Sequence, residues 1–245
     1  MPAVTNSELQ GKTCVVTGAS SGIGRAIAVG LASAGALVCA VARRRNALEE
    51  TAACANGAGA FALYETDLIV DAEVADLARA LLERENGVDV LVHSAGTISL
   101  GDVGSASVDE LDRQYAANVR APYLLTQALL PALRVNKGQI VFINSTVGLA
   151  ARANTGQFAA TQHALKAIAD SLREEVNADG VRVLSVFPGR TSTPRQAAIH
   201  AVEGKRYAPE RLMQPGDVAS VVLSALTLPR SAEITDLRVR PLLKH

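Results

Sequence analysis

The sequence predicts an α/β fold in which a doubly wound parallel sheet is covered by helices on both faces. Short, continuous β-branched runs recur along its 245 residues, with longer stretches of helical periodicity between them. A glycine-rich turn joins the first such run to the first helical stretch, as expected of a βαβ unit that binds a ligand at its turn.

The expected strands occupy residues 12–17, 36–42, 60–64, 88–93, 139–144, 181–187 and 234–240, mostly as unbroken apolar runs suited to burial on both faces. Between the first two, Ile23, Ala26, Ile27, Gly30, Leu31 and Ala34 repeat at helical spacing and mark one buried stripe. A later amphipathic helix is expected over residues 155–177. Its apolar face carries Leu165, Ile168, Ala169, Leu172 and Val176, with Arg173, Glu174 and Glu175 largely off that face. The stretch 188–216 is the least regular, mixing Gly, Pro and charge. It follows the sixth strand, where ligands of such sheets bind, so residues 190–214 read as a substrate loop or lid. With no repeat and no Pro/Gly-rich linker, residues 1–245 read as a single domain.

Composition narrows the function. The 24 Lys and Arg balance the 24 Asp and Glu, which suggests neither a basic nucleic-acid surface nor a solvating tail. Cys14, Cys39 and Cys54 have no paired spacing, against a disulfide scaffold or a Cys-rich zinc site. Cys14 and Cys39 fall in adjacent strands and read as small buried hydrophobes, and no metal site is expected. The opening MPAVTNSELQGK lacks a signal-like apolar core and no segment reaches the length of a membrane span, so a cytoplasmic chain with no membrane partner is expected.

The most informative local pattern is TGASSGIG at residues 17–24, directly after a strand and directly before an amphipathic helix. Gly18 supplies the backbone freedom of a tight turn. Gly22 lets a pyrophosphate come close, and Gly24 lets the helix pack on the sheet. Free N–H groups at the helix start would receive the phosphates.

With these residues the chain resembles the classical short-chain dehydrogenases/reductases. The resemblance extends through Asp67 after the third strand, the run His93-Ser94-Ala95-Gly96, Asn118, Ser145, and Pro188-Gly189 followed by Thr193. It implies a Rossmann-type domain with strand order 3-2-1-4-5-6-7 and a carbonyl/alcohol interconversion of a small-molecule substrate by hydride transfer. It also implies a homodimer or homotetramer built on the two long central helices. The implied cofactor contacts are Gly18, Ser20, Ser21, Gly22, Ile23, Gly24, Asp67, Leu68, Ser94, Ala95, Gly96, Gln162, Pro188, Gly189, Thr191 and Thr193, with Asp67 at the adenine edge. His93 and Ser94 depart from the family's commoner Asn-Asn-Ala-Gly, and His93 reads as structural.

The second strand ends at Ala42 and runs into Arg43-Arg44-Arg45, with no carboxylate at that strand end to hold a ribose 2′-hydroxyl. Guanidinium groups there suit a 2′-phosphate, so NADP is the expected cofactor, with Arg43 and Arg44 its contacts. A solvated basic helix start would account for Arg44 or Arg45 without a ligand.

Reducing a carbonyl requires a proton for the oxygen that becomes negative as hydride arrives. In the family a Tyr gives it and a Lys four residues on tunes the Tyr, while a Ser orients the carbonyl and an Asn keeps a relay water. Asn118 and Ser145 match the last two roles. Thirteen residues beyond Ser145 stands Phe158, and four further stands Gln162, where the family expects Tyr and Lys. Lys166 lies one further turn along the same helix face, about 6 Å of rise short of the ribose, and Tyr115 and Tyr207 read first as packing or loop surface. Three functions stay open: an NADP-binding reductase with a disabled or altered pair, a cofactor-binding pseudoenzyme or regulatory subunit, and a non-redox enzyme holding its substrate with Ser145 and Asn118.

Overall fold

The computed structural model describes residues 8–55, 59–83 and 87–243. Its strands are β1 (Thr13–Thr17), β2 (Leu37–Ala42), β3 (Ala60–Glu65), β4 (Val90–His93), β5 (Gln139–Ile143), β6 (Arg182–Pro188) and β7 (Asp236–Val239). They form one sheet in the order β3-β2-β1-β4-β5-β6-β7, every pair parallel. The helices are α1 (Gly22–Ser33), α2 (Arg45–Ala53), α3 (Asp71–Leu82), α4 (Val108–Tyr115), α5 (Ala121–Val135), α6 (Gly156–Val176), α7 (Pro194–Val202) and α8 (Pro215–Leu226).

The unbroken apolar runs have a direct structural reason. Successive side chains of a strand point to opposite faces, and here both faces are covered. Cys14 and Val16 of β1 enter a core with Ile27 and Leu31 of α1 and Val218 and Val222 of α8. Val15, between them, enters the opposite core with Leu77 of α3, Leu129 of α5 and Leu165 of α6. Burial pushes the Cys14 thiol far above its usual range, so it remains a neutral, apolar group.

Some expectations need correction. The strand expected over 88–93 starts at Val90, and that expected over 234–240 is confined to Asp236–Val239. On α1, Ile23, Ala26 and Gly30 are only half-buried, and Gly24, Ala28 and Ala32 complete the buried face. Arg173 belongs to the buried side of α6. It donates to the carbonyls of Val183 (2.9 Å) and Thr235 (3.1 Å) and pairs with Asp170, satisfying acceptors beside β6 and β7 that hydrophobic periodicity does not register. The stretch expected to be irregular contains the nine-residue helix α7, started by Pro194 and capped by Thr193.

Candidate active site

Strand order reverses between β1 and β4, and the expected site residues gather where the chain leaves the C-terminal ends of these strands and their neighbours. Gly18 sits there at φ +67°, and a Cβ on it would lie 2.8 Å from the Ala95 backbone. Only glycine meets both demands. A Cβ on Gly24 would fall 2.3 Å from the Gly18 carbonyl oxygen, so this glycine serves the turn more than the sheet. Ser21 precedes α1 with no side-chain cap, and the first turn of α1 holds no acid. That helix start therefore keeps its positive end uncompensated, whereas α3, α4 and α8 each carry acids in their first turns.

Thr17 Oγ1 accepts from the N–H groups of Ser94 and Ala95, both at 3.1 Å, joining the loops after β1 and β4. Arg25 ties the glycine turn to α2, donating to the Ser20 carbonyl at 2.6 Å and pairing with Glu50. Beyond β2, Arg43 and Arg44 are exposed and form no ion pair among the described residues, whereas Arg45 pairs with Glu49. In register, Glu65 of β3 stands opposite Ala42, an acid that the sequence of β2 does not reveal. Asp67 and Leu68 follow on the same side, half-buried, the Asp67 carboxylate accepting from the Ile69 N–H at 3.3 Å.

Asn118 is buried within a π-helical turn, Ala116–Arg120, rather than in a regular helix. Its Oδ1 accepts from the Thr97 N–H at 2.7 Å, and its Nδ2 donates to the Thr97 carbonyl at 2.9 Å and to Thr161 Oγ1 at 3.0 Å. The side chain thus clasps the loop that continues from Gly96 and binds it to α6. Thr161 Oγ1 in turn donates to the Phe158 carbonyl at 2.8 Å.

Ser145, half-buried, caps a short 3-10 turn after β5. That turn packs on α6 at Gln162: Asn144 Nδ2 donates to the Gln162 carbonyl at 2.9 Å, and a Cβ on Gly148 would lie 3.0 Å from Gln162 Cβ. The Gln162 side chain is buried at 4% exposure and donates to Thr161 Oγ1 at 3.4 Å. Phe158 lies one turn earlier, half-buried. Asn118, Ser145, Phe158 and Gln162 are therefore linked through Thr161, Asn144 and Gly148.

Pro188 ends β6, and the Gly189 N–H donates to the Val239 carbonyl at 2.8 Å. Thr191 is buried, its hydroxyl donating to the Gly189 carbonyl, and Thr193 begins α7 with its methyl 3.0 Å from where a Gly22 Cβ would stand. The starts of α1 and α7 thus face each other.

The other acids are engaged elsewhere. Lys166, one turn farther along α6 than Gln162, pairs with Asp170. Tyr115 is exposed at 49%. The Tyr207 hydroxyl lies 3.0 Å from Ser192 Oγ and its ring meets His200 edge-on, so it is tied in place rather than carried on a free loop. His93 is buried, stacked on Phe142, with Nε2 2.8 Å from Thr126 Oγ1. Burial pushes its pKa down to about 3, which leaves it neutral. Among the described residues no cluster of His, Cys, Asp or Glu could hold a metal ion, and no helix is long and apolar enough to cross a membrane.

Residues 12–204 match the family model of short chain dehydrogenases. The chain belongs to this family. Within the short chain dehydrogenases it is 30% identical over 236 residues to an uncharacterised oxidoreductase of Staphylococcus epidermidis, covering 96% of this chain and 99% of the relative. Similar solved structures include an alcohol dehydrogenase of Thermococcus sibiricus complexed with 5-hydroxy-NADP, at TM-score 0.85 and 26% identity over 96% of this chain and 99% of the other. Another is a metagenomic short-chain oxidoreductase in complex with NADP, at TM-score 0.81 and 32% identity over 97% and 100%.

Sequence reasoning did not single out Thr161, Asn144, the Gln114–Gln157 pair or Arg195. Gln114 is fully buried, accepts from the Ser99 N–H at 3.1 Å and donates to Gln157 at 3.1 Å, bracing the loop before α4. Neither amide carried a sequence signal, since the polar helix α4 buries Gln114 alone and its partner lies 43 residues away. Arg195 of α7 reaches across to donate to the Gly96 carbonyl at 2.5 Å, a pairing of residues 99 apart in the chain.

Proposed function

We propose that this short chain dehydrogenase binds NADP(H) and retains its family's carbonyl/alcohol interconversion only in strongly attenuated form. The observation that carries the cofactor reading is the glycine turn, where Gly18 and Gly22 at positive φ and an uncapped, acid-free helix start leave free N–H groups for phosphate oxygens. The exposed guanidinium groups of Arg43 and Arg44, without an ion pair among the described residues, suit a 2′-phosphate, and the NADP complexes of similar structures support the choice.

When bound, the nicotinamide would supply or accept the hydride. On the same reading the Ser145 hydroxyl orients the substrate oxygen, and Asn118 holds the Gly96–Thr97 loop beside it. Phe158 and Gln162 stand where the family's Tyr and Lys are expected. A phenyl ring has no proton to give, and the Gln162 amide is neutral and buried, so neither an acid nor its tuning charge is provided. Protonation of the substrate oxygen is left to water. The same lack favours a second reading, a cofactor-binding protein without turnover. Segment 190–214 serves as the lid in either case, with α7 as its longest helix.

Calorimetric titration of the chain with NADPH and with NADH tests the cofactor reading. Binding of NADPH at least about fivefold tighter supports it, within the range of charge-assisted contacts to one phosphate. Equal affinities contradict the assignment.

A further inference from the structure

The base of α7 is held by a dense polar network. Arg190 donates to both oxygens of Glu203, at 2.7 and 2.8 Å, and Lys205 pairs with the same carboxylate at 3.0 Å. His200, only 5% exposed, has Nδ1 2.8 Å from the Gln196 carbonyl, Nε2 3.4 Å from Arg190, and the Tyr207 ring against it. With its base fixed, α7 presents residues near its start in a defined position. Arg195, directly after the Pro194 that begins α7, is the one that extends over the loop after β4.

Arg195 differs from Arg190 and Lys205. Arg190 and Lys205 have a carboxylate, whereas Arg195 has none among the described residues and uses one guanidinium nitrogen on a neutral carbonyl, that of Gly96. It is open to solvent, yet protein crowds it closely enough that desolvation lowers its pKa. Its remaining N–H donors, in a rigid planar fork, match a carboxylate. Ala95 packs against the glycine turn, but Gly96 and Thr97 lead away from it to Asn118, Thr161 and Phe158. The guanidinium, anchored on Gly96, thus stands where that loop passes from the glycine turn toward Asn118.

We propose that Arg195 is a specificity residue that selects substrates carrying a carboxylate in addition to the reacting carbonyl or alcohol. The proposal deepens the functional reading above and rests on it for the location of the reacting group. The same donor chemistry would serve a cofactor phosphate, and the test separates the two.

The probes are a 2-oxo, a 3-oxo and a 4-oxo acid (2-oxobutanoate, acetoacetate and 4-oxopentanoate) with their methyl esters, titrated by calorimetry into the chain saturated with NADPH. At one or more spacings the acid should bind at least about tenfold tighter than its ester, the scale of a bidentate charge-assisted pair. In Arg195→Gln that ratio should fall below about twofold, with partial retention in Arg195→Lys, while NADPH affinity and thermal midpoint stay unchanged. A ratio near one at all three spacings in the unaltered chain, or an unaltered ratio in Arg195→Gln, overturns the proposal. So does a tenfold loss of NADPH affinity in Arg195→Gln, which would assign the residue to the cofactor phosphates. If the unaltered chain binds no NADPH, the cofactor reading fails on its own. The same acid and ester titrations on the chain alone then decide Arg195 by the same ratio.

Discussion

Asn118 Nδ2 lies 3.0 Å from Thr161 Oγ1, so the π-helical turn before α5 is fastened to α6 at the residue next to Gln162. The same amide holds Thr97 by both its N–H and its carbonyl. One side chain thus connects the loop after β4 with the helix that carries Phe158 and Gln162.

Replacing that clasp should be costly. Asn118→Ala leaves half-buried backbone groups of Thr97 without their partner, a loss of about 1–3 kcal/mol, whereas Thr161→Val removes one hydroxyl that accepts from Asn118 and Gln162 and donates to the Phe158 carbonyl, and should cost about 1 kcal/mol. Urea denaturation of the two variants measures both values. A smaller loss for Asn118→Ala than for Thr161→Val would contradict the clasp.

Gly24→Ala should damage the glycine turn directly. Its new methyl would stand 2.3 Å from the Gly18 carbonyl oxygen, a backbone atom that cannot yield without reshaping the turn. The expected cost is about 1–3 kcal/mol, the range for forcing extra volume into a packed site. It should be accompanied by loss of NADPH binding in calorimetry, and a variant of full stability and full affinity would show that the turn tolerates the methyl.

At the end of β2, Arg43→Ala should weaken NADPH binding about tenfold, the worth of one charge-assisted contact, and leave NADH binding within twofold. Glu65, opposite Ala42, is the nearby acid in register. Glu65→Gln should then strengthen NADPH binding modestly by removing a like charge. Equal losses for both cofactors in Arg43→Ala would place Arg43 outside the 2′-phosphate site.

His93 should leave a signature in the pH dependence of stability. Its pKa is pushed from 6.5 down to about 3 by burial, so below pH 6.5 the unfolded chain takes up a proton that the folded chain refuses. Stability contributed by this site is full above about pH 6.5 and is lost as pH falls toward 3, by up to about 1.4 kcal/mol per unit. His93→Asn should flatten the stability profile over that window relative to the unaltered chain. Parallel profiles would mean that His93 is not buried in the neutral form.

The sheet was legible because its physics is local: both-face burial produces unbroken runs such as Val38 to Ala42, and the TGASSGIG turn has few alternative conformations. The helix α7 was less so, since Gly, Pro and charge around it read as irregular although Thr193 and Pro194 form a standard helix start. Arg173 misled for a related reason. Hydrophobic periodicity places a guanidinium at the surface, yet the acceptors that draw it inward, Val183 and Thr235, lie on other segments. At the candidate site, positions 118, 145, 158 and 162 could be counted from the sequence, but Thr161, which joins them, could not, because its value lies in a contact across 43 residues.

The most direct measurement compares NADPH-dependent reduction of a panel of ketones and aldehydes by the unaltered chain and by the Phe158→Tyr, Gln162→Lys double variant, followed at the nicotinamide absorbance. A positioned acid is worth about 10²–10⁴ in rate, so the double variant should exceed the unaltered chain by at least about a hundredfold, with NADPH affinity changed far less. Equal turnover by the two proteins would contradict the account and place the proton donor elsewhere, with Tyr207 and Lys166 the first residues to replace.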